Sequence, residues 1–336
     1  MKSNDFRGEV WINAHPEIME ACMKANEEPV DGGYGNDSYS LHAIELMQRN
    51  FNTKIAATFT ISGTAANVMA MKSMLEPWSV ILCASQTHSN CYEAGAMEYT
   101  LGNKILSIDS PDGKLTPLLL DELLLRTKKY NYNPRVIAFA QPTEFGTVYT
   151  CEEIRILCEY AHARGMYVYL DGARIGNAVV RLGTTLKEMI EDTGVDAFSF
   201  GGTKAGAMFG EMVVFLREEF GGHLSYLQKQ SFQHMSKSKF LAVQLCTILE
   251  QKFWLTDARH SNAMAELLEQ KLRAKGVEIY YPTQTNTVFA VVEPSLMEKL
   301  SQFYVTHYWD EFAHTVRFAT TYRTTEEQID RLVSMF

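Results

Sequence analysis

The chain has 336 residues, 46% of them hydrophobic and 21% charged, which is enough for one large domain and a smaller one, each around a real core. A formal charge of −9 argues against nucleic acid or an anionic membrane surface as the main partner, since both repel an acidic protein and no run of Lys and Arg supplies a local patch. No apolar run approaches the roughly 20 residues that cross a bilayer and MKSNDFRGEV has no signal character, so a cytoplasmic protein with no membrane partner is expected.

From about residue 55 to 216, short apolar runs alternate with longer amphipathic ones, the pattern of repeated βα units. Strands are expected at IAATFTI, SVILCA, KILSI, RVIAFA, MYVYL, DAFSF and MVVFL. Several are β-branched and lack alternation, as strands do when helices cover both faces of a mostly parallel sheet. Between them, helices are expected over Ala65–Leu75, Leu118–Lys129, Glu152–Arg164 and Leu186–Glu191. In the third, Ile154, Leu157, Cys158 and Ala161 recur at i, i+3, i+4 and i+7 and form one apolar stripe.

Residues 217–275 read as mostly helical. Beyond them VEIYY, NTVFAVV and TVRFAT are strand candidates, interleaved with helices near Pro294–Tyr304 and Thr325–Met335. Thr325 and Gln328 have the spacing of a helix capping box. The fold class is therefore α/β, with an N-terminal segment and large domain over 1–245 and a small α+β domain over 246–336. The six cysteines are scattered, without a Cys-x-x-Cys pair or histidines at zinc-finger spacing, so reduced thiols and no metal site are expected.

Ligand sites of open α/β sheets lie at the carboxyl ends of the strands, and four segments with reactive groups fall there. Asp171 directly follows MYVYL, where a carboxylate can meet a ribose hydroxyl, a metal or a protonated ring nitrogen, or simply cap a helix. Lys204 follows DAFSF inside Gly201-Gly202-Thr203-Lys204-Ala205-Gly206. Most lysines are solvated surface charges, but glycines on both sides permit close approach, and a desolvated amine there can attack a carbonyl. Ser62-Gly63-Thr64 opens a helix after the first strand, either as a plain N-cap or as a phosphate site. His88 follows the second strand, as a structural residue or as an imidazole that stacks on a planar cofactor and moves protons. Neither Gly-x-x-x-x-Gly-Lys nor Gly-x-Gly-x-x-Gly occurs, so an ATPase-type loop and NAD are not supported.

In this order and spacing the segments HPEIMEA, YGND, SGTAAN, TH with EAGA, DGKL, PTEFGTVY, YLDGAR, SFGGTKAG with FGE, and VRFATTYRTTEE resemble the threonine aldolase and aromatic amino-acid β-eliminating lyase family. These are aspartate-aminotransferase-like, fold type I enzymes that use pyridoxal 5'-phosphate, and the resemblance runs from about residue 15 to the C-terminus. It implies that Lys204 holds the cofactor as a Schiff base, Asp171 pairs with the pyridine nitrogen, His88 stacks on the ring, and Gly63 and Thr64 bind the phosphate. Arg174 would contact cofactor or substrate, and Arg317 would grip the substrate α-carboxylate. Tyr34, in the Tyr34-Gly35-Asn36-Asp37 loop, is a candidate to bind substrate and Lys237 to bind cofactor near or across a subunit interface, because the family builds its active sites between subunits of a homodimer or homotetramer.

Three departures bear on the substrate. The place of the family's serine near the N-terminus falls at Gly8-Glu9-Val10. No histidine stands between His88 and His162, and Tyr130 and Tyr132 of the intervening loop are the alternative partners for a substrate hydroxyl. Ser231-Phe232-Gln233-His234 occupies a stretch where relatives tend to have Arg-Gly. The expected reaction is cleavage of a β-hydroxy-α-amino acid, of the L-threonine or L-allo-threonine type, to glycine and an aldehyde. A β-eliminating lyase, racemase or transaldolase acting on a bulkier amino acid is the alternative in the same class, and a non-catalytic binding relative the alternative outside it.

Overall fold

The structure is a computed structural model that describes residues 2, 3 and 5–336. Seven strands build the main sheet: β1 (Ala56–Thr60), β2 (Ser79–Ala84), β3 (Lys104–Ile108), β4 (Asn133–Ala140), β5 (Tyr167–Asp171), β6 (Ala197–Gly201) and β7 (Glu211–Phe215). Their order is β1-β7-β6-β5-β4-β2-β3, with β7 antiparallel to both neighbours and all other pairings parallel. Both faces are covered, as the unalternated apolar runs require. Along β4, Ile137 and Phe139 pack under the helices Ser38–Gln48, Cys151–His162 and Lys239–Glu250, while Val136 and Ala138 point to the opposite face, against the helix Gly63–Met74.

The second unit is a three-stranded antiparallel sheet, β8 (Thr287–Val291), β9 (Tyr308–Asp310) and β10 (Thr315–Ala319), in the order β8-β10-β9. Its own core joins Val288, Ala290, Val316 and Phe318 to the helices Phe253–Ala274, Pro294–Phe303 and Glu326–Val333. Thr325 caps the last of these through the expected box: its hydroxyl accepts from the Gln328 amide, and the Gln328 side chain accepts from the Thr325 amide.

Three expectations change. The two cores do not divide at residue 245. The helix Lys239–Glu250 runs through that point and buries Leu241, Leu245 and Ile248 in the large core, while Ala265, Leu268 and Leu272 of the following helix belong to the small one. Phe6, from the opposite end of the chain, joins the small core too. VEIYY is no strand: only Ile279 bridges to Ala290, and the aromatic rings that read as strand pattern pack sideways, Tyr281 stacking on Phe145 at 4.2 Å. Leu186–Glu191 is represented by a short π-helical stretch, Lys187–Glu191.

Candidate active site

Five strands of the large sheet run parallel toward one edge, so their carboxyl ends bring distant residues to a common rim. β5 ends in Asp171, β6 leads into the turn Thr203–Ala205 that carries Lys204, and His88 follows β2. β1, parallel to them beyond the reversed β7, delivers the helix that starts at Gly63. The sharp turn after β6 depends on its glycines. A Cβ on Gly201 would lie 2.3 Å from the Ala173 carbonyl oxygen, and one on Gly202 would lie 2.4 Å from that of Gly210.

Asp171 is fixed on three sides. It accepts from the Asn67 side-chain amide at 3.1 Å, from the Ala173 N–H at 3.0 Å and from the Ser199 hydroxyl at 3.5 Å. The same Asn67 amide donates to buried Glu93 at 2.8 Å, and Glu93 holds Nδ1 of His88 at 2.8 Å. Burial alone would lower the proton affinity of His88, but the Glu93 hydrogen bond and the charges of Glu144 and Asp171 prevail and raise its pKa. The imidazole is therefore held toward its cationic form, with one nitrogen spoken for.

Lys204 lines three cavities, two of them shared with His88 and Glu144, and no hydrogen bond or ion pair among the described residues engages its Nζ. Burial and the neighbouring Arg174 guanidinium lower its pKa, against the opposing pull of Glu144, Glu9 and Asp171. Beneath it, buried Glu211 accepts from the Gly202 N–H at 2.9 Å, and burial lifts its carboxyl to about 7. The narrower cavity is lined by Gly63, Asn67, His88, Glu144, Asp171 and Lys204. A Cβ on Gly63 would meet only open space; Ser62 Oγ accepts from the Ala65 N–H at 3.3 Å, while no hydrogen bond among the described residues uses the Gly63 or Thr64 N–H. An amine biased toward neutrality, a fixed carboxylate, an imidazole and a helix N-terminus around one slot are the donor set for a phosphorylated pyridine aldehyde.

The wider cavity, about 300 Å³, joins this slot to the small domain. Arg317, on β10, reaches it with Nε buried and unpartnered, its guanidinium 5.3 Å from the Trp309 ring. Burial, and then repulsion by Arg174, lower its pKa, as for a cation that lacks its anion. Arg174 has its anion already: Glu9 accepts from its Nε at 2.8 Å and from its Nη2 at 2.9 Å, and also from the Asn286 side chain at 2.7 Å. The missing serine is thus replaced by a buried carboxylate whose partner is an arginine of the site.

Of the residues expected from sequence, Lys204, Asp171, His88, Gly63, Arg174 and Arg317 converge on these cavities. Thr64 adjoins Gly63 on the first helical turn. Tyr34 and Lys237 do not line them. They lie on an exposed patch where Tyr34 stacks on His234 at 4.3 Å and the Gly35 N–H donates to the Ser238 hydroxyl at 2.7 Å. Gln233, from the altered Ser231–His234 stretch, accepts from the Ile61 N–H at 3.0 Å and so braces the turn ahead of Gly63. Tyr130 and Tyr132 precede β4, at the end of the sheet opposite the site, and pair with each other at 5.7 Å. Of the residues that follow β4, Pro142 lines the narrower cavity and Glu144 lines both. Asn67, Glu93 and Glu144 had no assigned role in the sequence reading, although each lies inside a segment that carried the resemblance.

The model of the β-eliminating lyase family matches residues 5–295. The low specificity L-threonine aldolase of Pseudomonas sp. (strain NCIMB 10558) is 33% identical over 302 residues, which are 89% of this chain and 87% of that protein. Among solved structures, a threonine aldolase of Leishmania major superposes with a TM-score of 0.90 at 26% identity, covering 97% of this chain and 96% of the other. A Thermus thermophilus aspartate aminotransferase double mutant superposes with a TM-score of 0.75 at 15% identity, over 100% of this chain and 91% of its own, a likeness of fold.

Proposed function

The chain belongs to the β-eliminating lyase family, and from that membership and the site we propose a pyridoxal-phosphate-dependent aldolase that cleaves β-hydroxy-α-amino acids of the threonine type to glycine and an aldehyde. The observation that carries the reading is the pairing of an unengaged Lys204 with an unpartnered, buried Arg317 on one cavity. Lys204 would hold the cofactor, Asp171 would face its ring nitrogen, His88 its ring, and Gly63 and Thr64 its phosphate. Bound there, pyridoxal phosphate would supply a carbonyl for the amino group and a protonated ring that accepts electron density from Cα.

The chain's own residues do the rest. Arg317 grips the substrate α-carboxylate in a two-pronged charge-assisted pair, which satisfies its buried Nε and fixes the orientation of the Cα–Cβ bond. Glu9 neutralises Arg174, so that the carboxylate is drawn to one arginine rather than shared between two. The Asn67–Asp171 hydrogen bond holds the Asp171 carboxylate facing the slot. Nζ of Lys204, which lines both the slot and the wider cavity, is placed to move a proton at Cα. Phe6, Trp309 and Phe318 wall the cavity and exclude water around the reacting carbons.

A second reading, elimination or aldol chemistry on a bulkier amino acid, is favoured by the roughly 300 Å³ cavity, of which a threonine methyl fills little. Incubation with L-threonine, L-allo-threonine and bulkier β-hydroxy amino acids separates the two. Equal amounts of glycine and aldehyde are expected, whereas ammonia with a keto acid would replace the aldolase reading by elimination.

The exposed patch formed by Tyr34, Phe232 and Lys237, with Met19, Met23 and Leu41 exposed nearby in sequence, supports a homo-oligomer as part of the proposal, with that loop near the subunit interface. No helix among the described residues is long and apolar enough to cross a membrane, and a cytoplasmic location is proposed with the rest.

A further inference from the structure

We propose that Glu144 takes the proton from the substrate's β-hydroxyl. The proposal rests on the aldolase reading and extends it by naming the base. Cleavage of the Cα–Cβ bond needs an acceptor beside the hydroxyl; no histidine stands between His88 and His162, and the acceptor is to be found among the groups that reach the cavity.

Most of those groups are already committed. Nδ1 of His88 is bound to buried Glu93, and its ring is the one that would face the cofactor. Glu9 spends its carboxylate on two hydrogen bonds from Arg174 and one from Asn286. Asp171 accepts from Asn67, Ala173 and Ser199. Lys204 is reserved for the cofactor, Tyr130 and Tyr132 stand at the other end of the sheet, and exposed His307 lines only the wider cavity and not the slot.

Glu144 differs from all of these. No hydrogen bond or ion pair among the described residues engages its carboxylate, yet it lines both the slot, with Asp171 and Lys204, and the wider cavity, with Arg317. It therefore stands where the space for the ring and the space for the substrate meet. Of the carboxylates that act on Lys204 and on Arg317, Glu144 acts most strongly on each.

The turn that carries it is rigid. The Thr143 N–H donates to the Thr147 carbonyl at 2.9 Å, the Gly146 N–H donates to the Thr143 carbonyl at 2.9 Å, and the two threonine hydroxyls meet at 2.6 Å. Phe145, next in the chain, is buried against Tyr281. A carboxylate presented by a braced turn can face a hydroxyl without paying to be ordered.

In the step itself, the hydroxyl proton passes to the Glu144 carboxylate while the O–Cβ bond becomes the aldehyde carbonyl and the Cα–Cβ bond breaks. The bonding pair stays with Cα, which takes up one proton to become the methylene of glycine. Glu144 releases its proton as the aldehyde leaves, so protons and electrons balance without a further reactant.

The test uses the holoenzyme and its E144Q and E144D variants, with three readouts: glycine and aldehyde release, exchange of the glycine α-proton in heavy water, and spectral titration of the bound cofactor. The titration compares L-threonine with 2-aminobutyrate, which lacks the hydroxyl. E144Q is expected to cleave about 10²- to 10⁴-fold more slowly, the usual worth of a general base, while glycine exchange stays near wild type and E144D keeps part of the cleavage. The wild-type preference for threonine over 2-aminobutyrate should shrink in E144Q. Cleavage by E144Q at the wild-type rate overturns the proposal, and so does a parallel loss of cleavage and glycine exchange. If the wild type releases neither product, the aldolase reading falls, and the titration still decides Glu144: an unchanged preference in E144Q overturns its role.

Discussion

Glu9 and Arg174 meet across a sequence separation of 165 residues, and their pairing decides which arginine of the cavity is left for a ligand. Removing one member of a buried pair strands the other charge, so Glu9→Ala should lower stability by about 3–5 kcal/mol, measurable by chemical denaturation. The pair also sets an acid dependence. Burial raises the Glu9 pKa, but Arg174 more than compensates and brings it from 4.5 to about 2. A depressed carboxylate stabilises the fold above its unfolded pKa and loses that contribution as pH falls through the folded one. About 3 kcal/mol should therefore be present above pH 4.5 and disappear toward pH 2, at ~1.4 kcal/mol per pH unit. Glu9→Gln should flatten that limb, and an unchanged acid profile would show that the pair does not act this way. Sequence reading found the position of Glu9 but saw only a missing serine, because a partner so far along the chain leaves no local pattern. Glu144 stood in a quoted motif without a role for the same reason: spacing tells which residues follow a strand, not which carboxylates the fold leaves unpaired.

At the scale of elements, the βα alternation was legible because strands buried on both faces cannot alternate, and all seven expected strands of the large sheet exist. Asp171, Lys204 and His88 followed from one rule, that parallel strands deliver their carboxyl ends to one edge. Tyr130 and Tyr132 came out at the wrong end because they precede β4 rather than follow it. Tyr308–Asp310 escaped notice, since three residues are too few to show a period, and VEIYY misled because aromatic packing imitates strand composition. The turn that carries Lys204 gives a direct check on element geometry. In Gly202→Ala the new Cβ would stand 2.4 Å from a backbone oxygen and 2.7 Å from Leu245. Backbone cannot yield cheaply, so about 1–3 kcal/mol of destabilisation is expected, together with weaker retention of the cofactor, read from thermal melting and from the visible band. Wild-type melting would mean that the turn has slack.

For the molecule as a whole, the site is assembled from three parts: strand ends of the large sheet, Arg317 from the small one, and the N-terminal segment carrying Glu9. That segment is tied to the small domain, with Phe6 in its core and Arg7 bridged to Ala319. Length and the change of pattern after residue 275 suggested two domains, and the helix Lys239–Glu250, which packs in the large core, runs across the boundary expected at residue 245. What joins the three parts into one account is the amine of Lys204. Reduction of the holoenzyme with borohydride, followed by proteolysis and mass spectrometry, locates the lysine that carries the pyridoxal group. The expected result is a single modified peptide containing Lys204, absent from Lys204→Ala; a pyridoxyl group on another lysine, or none on the coloured wild-type protein, would contradict the account.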